Sequence, residues 1–149
     1  MSLTSKTWVM VFGGGPAGME AARVAAMRGH HVTLFEKEGE LGGQVNIAKI
    51  GTGRENLGLI VTNLVTQLKI LKVEIKLGVE ATEDLIRDEN PEVLIVATGS
   101  LPRERPFPGH YSSSEVLNVW QVLREEAAVG EKVLLIDGDG HHKATSTAE

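Results

Sequence analysis

The sequence predicts an α/β fold in which a parallel β-sheet is flanked by helices. Three strands are predicted from the apolar stretches at residues 6–12, 31–35 and 91–97; the first has the hydrophobicity of a central parallel strand that is buried on both faces, and the last is also predicted to be buried. Segments with helical composition or period, at 17–29 and 57–71, alternate with them. With 149 residues and 42% hydrophobic content, the chain is long enough for one domain with its own core.

The first strand runs directly into a glycine turn and a helix. Gly13 permits a tight turn, Gly15 permits close approach of the backbone to a pyrophosphate, and Gly18 permits close packing of the helix on the strand. Pro16 and Ala17 begin the helix, whose N-terminal amides favour phosphate. This order predicts a Rossmann-like unit that binds a dinucleotide, although such turns also occur without a ligand.

The second strand ends at an acidic residue. Glu36 lies 18 residues after Gly18, close to the spacing expected for a carboxylate that accepts hydrogen bonds from ribose hydroxyls. Lys37 follows it, and we predict that Lys37 contacts the edge of the adenosine.

Two further stretches are candidates for the same site. Gly42 and Gly43 permit a second close backbone approach, and Gln44 either bonds the ligand or faces water; the alternative is a flexible loop. The last apolar run ends in Ala97-Thr98-Gly99, which by itself is also compatible with a simple strand and turn.

Together these motifs resemble the flavoprotein disulfide-reductase-like superfamily. More narrowly, the chain resembles the C-terminal FAD/NAD(P)-binding region of the 2,4-dienoyl-CoA reductase and trimethylamine dehydrogenase group, from about residue 7 to 149. The resemblance implies a site for FAD, or for ADP alone, and places residues 97–99 near the dinucleotide. It also implies a longer parent protein with an old-yellow-enzyme barrel, FMN, an iron–sulfur cluster and NAD(P)H as reductant.

The resemblance divides the chain into three parts. We expect a disordered or extraneous start at 1–6, an FAD- or ADP-binding domain at 7–130, and the truncated start of an NAD(P)-binding unit at 131–149. The third glycine position of that unit is Lys143, so we predict that it does not bind nicotinamide by itself. We hypothesise that the apolar strand 133–137 docks on the first sheet or pairs with another copy.

Composition narrows the classes of function. The net charge of −5 argues against nucleic-acid binding, and no apolar run is long enough to cross a membrane. The chain has no cysteine, and the histidine pairs lack ligand spacing, so we predict no metal site. Without a recognisable secretory signal, we expect a cytoplasmic protein.

The inferred parent function is electron transfer between NAD(P)H, FAD and a barrel-bound flavin, with reduction or demethylation of a small substrate. We predict no catalytic acid–base pair, because the flavin carries the hydride. Two alternatives stay open: a non-redox module that binds ADP within a larger assembly, and an NAD-dependent dehydrogenase domain. The barrel and the rest of the NAD(P) domain are the expected partners, and homodimerisation is left open.

Overall fold

The computed structural model of the chain describes residues 6–102 and 116–137. These residues form two compact units, one of residues 6–46 and 57–99 and the other of residues 47–56, 100–102 and 116–137. In chain order the helices and strands are β1 Trp8–Phe12, α1 Pro16–Met27, β2 His31–Glu36, α2 Gln44–Ala48, a 3-10 turn Glu55–Leu57, α3 Gly58–Ile70, β3 Glu74–Leu77, α4 Glu83–Glu89, β4 Val93–Val96 and α5 Val119–Leu123.

The sheet of the first unit is parallel throughout, with the strand order β3-β2-β1-β4. Val9 lies opposite Val32 on one side and Val93 on the other, so β1 is an inner strand. The predicted α/β class with helices around a parallel sheet is confirmed.

Two apolar clusters cover the two faces of β1, because successive side chains of a strand point to opposite faces. On one face Val9 and Val11 join Met19 and Ala22 of α1 and Leu68 of α3. On the other face β1 and β2 contribute Met10, Phe12 and Phe35, against which Leu85 and Ile86 of α4 pack. The rings of Phe12 and Phe35 lie 5.3 Å apart at 50°, a favourable tilted arrangement.

Local signals account for the helix ends. Gly15 is the extended N-cap of α1, Pro16 takes the first helical position, and Gly29 with φ +91° follows the helix as expected. The Thr82 side chain caps α4 by accepting a hydrogen bond from the Leu85 amide. That helix ends at Asn90 in the left-handed conformation, just before a proline.

The prediction that the run 93–96 is a fully buried strand is wrong. It forms β4, but Val93, Leu94 and Val96 are 43%, 37% and 67% exposed. In the described sheet β4 has a neighbour only on the β1 side, and one neighbour does not bury a strand.

The sequence also predicts an amphipathic helix over residues 116–128, with N-capping by the serines 112–114. The helix expected over 116–128 is the shorter α5, which is capped by Asn118 and Gln121 in a reciprocal capping box. The serines 112–114 that we predicted as caps lie outside the described residues.

The run 133–137 has no strand, contrary to prediction, and Val133 and Leu134 are largely exposed. A strand needs a hydrogen-bonded neighbour, and the four strands of the described sheet do not include this segment. Its docking on the sheet stays a hypothesis. Among the described helices, none combines the length and apolarity needed to span a bilayer.

Candidate functional site

The candidate site lies where three strands of the sheet end. Because β1, β2 and β4 are parallel, their carboxyl ends share one edge, and the turns that follow them begin there. These turns contain the glycines predicted from the sequence, at 13–18, 42–43 and 99.

The first turn is packed against the end of β4. Gly13 has φ +103°, and a Cβ there would collide with the backbone carbonyl of Ala97. A Cβ on Gly18 would collide with the Gly13 carbonyl oxygen, so α1 sits directly on the turn. The predicted roles of Gly13 in the tight turn and of Gly18 in close helix packing are both explained by these collisions, which only glycine avoids.

Gly15 is different, because the part of the chain that the structure describes does not crowd it. Among the described residues, no heavy atom other than those of Gly15 itself and its two chain neighbours lies within 4 Å of a Cβ built at this position, and its φ of −72° suits any residue. The space beside Gly15 is therefore open, next to the first turn of α1 at Pro16 and Ala17. Amides in the first turn of a helix lack partners within the helix, so this opening suits an anion.

Glu36 is a buried carboxylate held by two backbone donors. It is 7% exposed; its Oε2 accepts from the Gly14 amide at 2.5 Å and its Oε1 accepts from the Glu38 amide at 2.9 Å. Charge-assisted bonds of this kind fix the side chain, and each oxygen keeps a further lone pair. Lys37 is exposed, and its Nζ lies 3.9 Å from the Glu38 carboxylate.

The second glycine loop lies against the first. The Gly42 amide donates to the Gly14 carbonyl oxygen at 2.8 Å, and a Cβ on Gly43 would come within 3.2 Å of the Gly15 Cα. Both residues have positive φ, +127° and +52°, which favours glycine. The structure thus brings Gly14 against Gly42 and Gly15 against Gly43, residues that are 28 positions apart in the sequence.

The third stretch, Ala97-Thr98-Gly99, lies at the same edge of the sheet. Gly99 has φ +77°, and a Cβ there would lie 3.5 Å from Nε2 of Gln44. Ala97 continues the sheet, since its amide donates to the Phe12 carbonyl oxygen at 2.8 Å, and Thr98 is exposed. All the site residues predicted from the sequence therefore lie on or beside one edge of the sheet.

Sequence reasoning missed two parts of this edge. Gln44 begins the short helix α2, which the sequence analysis does not predict. Leu41 is 9% exposed, and its Cδ2 occupies the position where a Cβ on Gly14 would lie. An apolar residue immediately before a glycine pair was the available signal.

One ion pair on α1 also shifts a pKa. The Arg23 guanidinium donates to both carboxylate oxygens of Glu20, at 2.6 and 2.7 Å. This hydrogen bonding holds the pKa of Glu20 below its ordinary value. Both groups reach solvent, so the pair adds little to stability.

Comparison with known proteins is consistent with this geometry. A family model described as "Pyridine nucleotide-disulphide oxidoreductase" matches residues 7–136. Bilirubin reductase of Mediterraneibacter gnavus is 41% identical over 133 residues, which are 89% of this chain and 21% of that protein. N,N-dimethylglycine/sarcosine dehydrogenase of Chromohalobacter salexigens is 38% identical over 149 residues, 97% of this chain and 22% of that protein.

Among solved structures, a complex of 2-naphthoyl-CoA reductase superposes with a TM-score of 0.88 at 36% identity. The match covers 97% of this chain and 22% of the reductase. The chain thus spans about a fifth of the length of these relatives.

Proposed function

Because the chain belongs to the pyridine nucleotide-disulphide oxidoreductase family, we propose that its glycine-lined edge binds the ADP portion of FAD. The observation that carries the proposal is the convergence of two glycine turns around the open space at Gly15, beside the buried carboxylate of Glu36. A pyrophosphate needs unhindered backbone amides, and a ribose needs a fixed acceptor. This edge offers both.

The residues present fit such a ligand. The backbone at Gly13, Gly15 and Gly18, with Pro16 and Ala17, would hold the pyrophosphate at the start of α1. Glu36 would accept from the ribose hydroxyls, with Lys37 at the edge of the adenosine.

The other two turns would complete the enclosure. The backbone near Gly43 and Gln44, with Ala97, Thr98 and Gly99, would flank the rest of the dinucleotide. When bound, FAD supplies hydride and electron transfer. The chain's own contribution is to bind and orient the nucleotide and to keep side-chain bulk out of the pyrophosphate site.

We further propose that the chain is part of a larger flavin-dependent oxidoreductase. Its relatives include proteins named bilirubin reductase and N,N-dimethylglycine/sarcosine dehydrogenase, and it spans about a fifth of each. In that longer protein NAD(P)H, FMN on a barrel and an iron–sulfur cluster would supply and receive electrons, and a small substrate would be reduced or demethylated.

A second candidate is a structural site for ADP without a flavin. The same contacts support it, because Glu36 and the glycine turns suit the adenosine diphosphate portion of the ligand. That portion is common to FAD and free ADP. The nucleotide found in the protein as purified separates the two candidates, since released FAD absorbs in the visible and ADP does not.

Calorimetric titration tests the binding proposal directly. FAD, 5′-ADP and 5′-AMP are expected to bind, and 2′,5′-ADP is expected to bind at least about tenfold more weakly than 5′-AMP, from which it differs only by a 2′-phosphate that meets the Glu36 carboxylate. Equal affinity for 5′-AMP and 2′,5′-ADP would contradict the role of Glu36. No binding of FAD, 5′-ADP or NAD by the folded chain would overturn the nucleotide proposal.

A further inference from the structure

Asn46, in α2, lies behind the second glycine loop. Its Nδ2 donates to the Leu41 carbonyl oxygen at 2.9 Å and to the Glu40 carboxylate at 3.2 Å. The Asn46 backbone amide also donates to the Gly43 carbonyl oxygen at 3.1 Å. One residue thus bonds Glu40 and Leu41, which precede the glycine pair, and Gly43 within it.

The Asn46 amide group also packs on Gly42. A Cβ on Gly42 would lie 2.6 Å from both Nδ2 and Oδ1 of Asn46, so the side chain fills the space that any other residue at 42 would need. This contact and the φ of +127° restrict position 42 to glycine for reasons internal to the loop.

The loop that Asn46 holds also contacts the first glycine turn. Leu41 packs on Gly14, and the Gly42 amide donates to the Gly14 carbonyl oxygen. Gly43 then lies against Gly15, beside the open space. The position of Gly43 relative to Gly15 therefore depends on contacts that Asn46 makes from behind.

We propose that Asn46 is a positioning residue for the nucleotide site, which keeps the Gly42-Gly43 loop in the shape that leaves the space at Gly15 open. The inference rests on the proposed function. Asn46 acts through the loop and needs no contact with the ligand. A neutral donor is required at this position, because Nδ2 faces two acceptors, the Leu41 carbonyl and the Glu40 carboxylate.

The test compares Asn46→Asp and Asn46→Ala with the wild type and with Asn63→Asp, a change of the same type on the exposed side of α3. FAD and 5′-ADP are titrated by calorimetry from mildly alkaline to mildly acidic pH, and unfolding is followed by circular dichroism. At alkaline pH, Asn46→Asp should weaken binding about tenfold, since the new carboxylate faces two acceptors. Asn46→Ala should weaken it about threefold to tenfold, and Asn63→Asp should not change it.

The pH dependence separates positioning from general destabilisation. As the pH falls, the carboxyl of Asn46→Asp protonates and its O–H donates to Leu41, so its affinity relative to wild type should recover. The relative affinity of Asn46→Ala should stay constant. If Asn46→Ala does not fold, the positioning role is tested by the affinity of Asn46→Asp relative to the wild type, measured as a function of pH.

Unchanged affinities in both Asn46 variants, or a pH-independent ratio for Asn46→Asp, would overturn the positioning role while leaving the proposed function intact. If the wild type binds neither FAD nor 5′-ADP, the proposed function fails and the inference fails with it.

Discussion

The neighbouring strands β1 and β4 have similar sequences and very different surroundings. Four consecutive apolar residues of β1, Val9–Phe12, are between 0% and 4% exposed. The four of β4 lie directly opposite them in register, yet Val93 is 43% exposed and Val96 67%. Only Ile95 of β4 packs with the partly buried residues around the core.

The difference lies in what surrounds each strand. In the described residues β1 has a strand on either side, α1 and α3 on one face and α4 on the other, whereas β4 has β1 alone as its strand neighbour. An apolar run thus predicts a strand, and its neighbours determine how far that strand is buried. The carboxyl ends of both strands nevertheless meet at the glycine turns, so the site draws on the buried strand and the exposed one together.

The largest loss in the free energy of unfolding is expected where the ends of β1 and β4 meet α1. Gly18→Val would drive a side chain into the Gly13 carbonyl and toward Ala97, whose Cβ lies 3.4 Å from the position that a Cβ would take. We expect a loss of about 3 kcal/mol or more in unfolding free energy, because the colliding atoms are backbone. Urea unfolding measures it. A loss below about 1 kcal/mol would show that α1 can move away from β1.

Gly15→Val is expected to abolish binding without comparable damage to the fold. The position has free space and an ordinary φ, so stability should change by less than about 1 kcal/mol, while FAD affinity should fall about 100-fold or more. Gly130→Val is the matched control, since that glycine is exposed and equally uncrowded. Retained FAD affinity in Gly15→Val would place the pyrophosphate elsewhere.

A matched pair of truncations tests the comparison of the strands themselves. Val11→Ala removes two methyl groups from a side chain with 0% exposure and should cost about 2 kcal/mol. Val96→Ala removes the same groups from a side chain that is 67% exposed and should cost no more than about 0.5 kcal/mol. Equal costs, measured by urea unfolding, would mean that β4 is buried in solution by something else.

After Gly18 and Val11, a smaller loss of stability is expected at α4, which packs on the cluster of Met10, Phe12 and Phe35. Thr82→Ala removes the side-chain cap on the Leu85 amide, 3.1 Å away, and should cost about 1 kcal/mol. Thr82→Ser keeps the hydroxyl and should recover most of that stability. A cost near zero in thermal and urea unfolding would indicate that α4 contributes little to covering Met10 and Phe12.

Much of the first unit could be predicted from the sequence. Apolar runs with glycine turns at their ends determine β1, β2 and α1, and the spacing of Glu36 from Gly18 places that carboxyl at the right edge. These predictions succeed because each rests on short-range order, strand, turn and helix, within one βαβ unit.

The remainder depends on contacts that sequence patterns do not specify. The helix α2 is five residues long and follows two glycines, so its composition alone gave no helical period. The packing of the Asn46 side-chain amide on Gly42 depends on the shape of the loop between them, which the sequence does not specify. The apolar run 133–137 has strand composition and no strand, since composition does not supply a neighbour.

The sheet's hydrogen bonding extends past the strands into the turns. Gly13 donates to Phe35 and Ala97 donates to Phe12, so the first glycine turn is tied to both neighbouring strands before any nucleotide arrives. Little backbone freedom is then left to lose when a ligand binds, and more of the contact energy appears as affinity. The same bonds link the amide protons of Gly13 and Ala97 to the opening of the sheet, so they should be among the last in the unit to exchange with solvent.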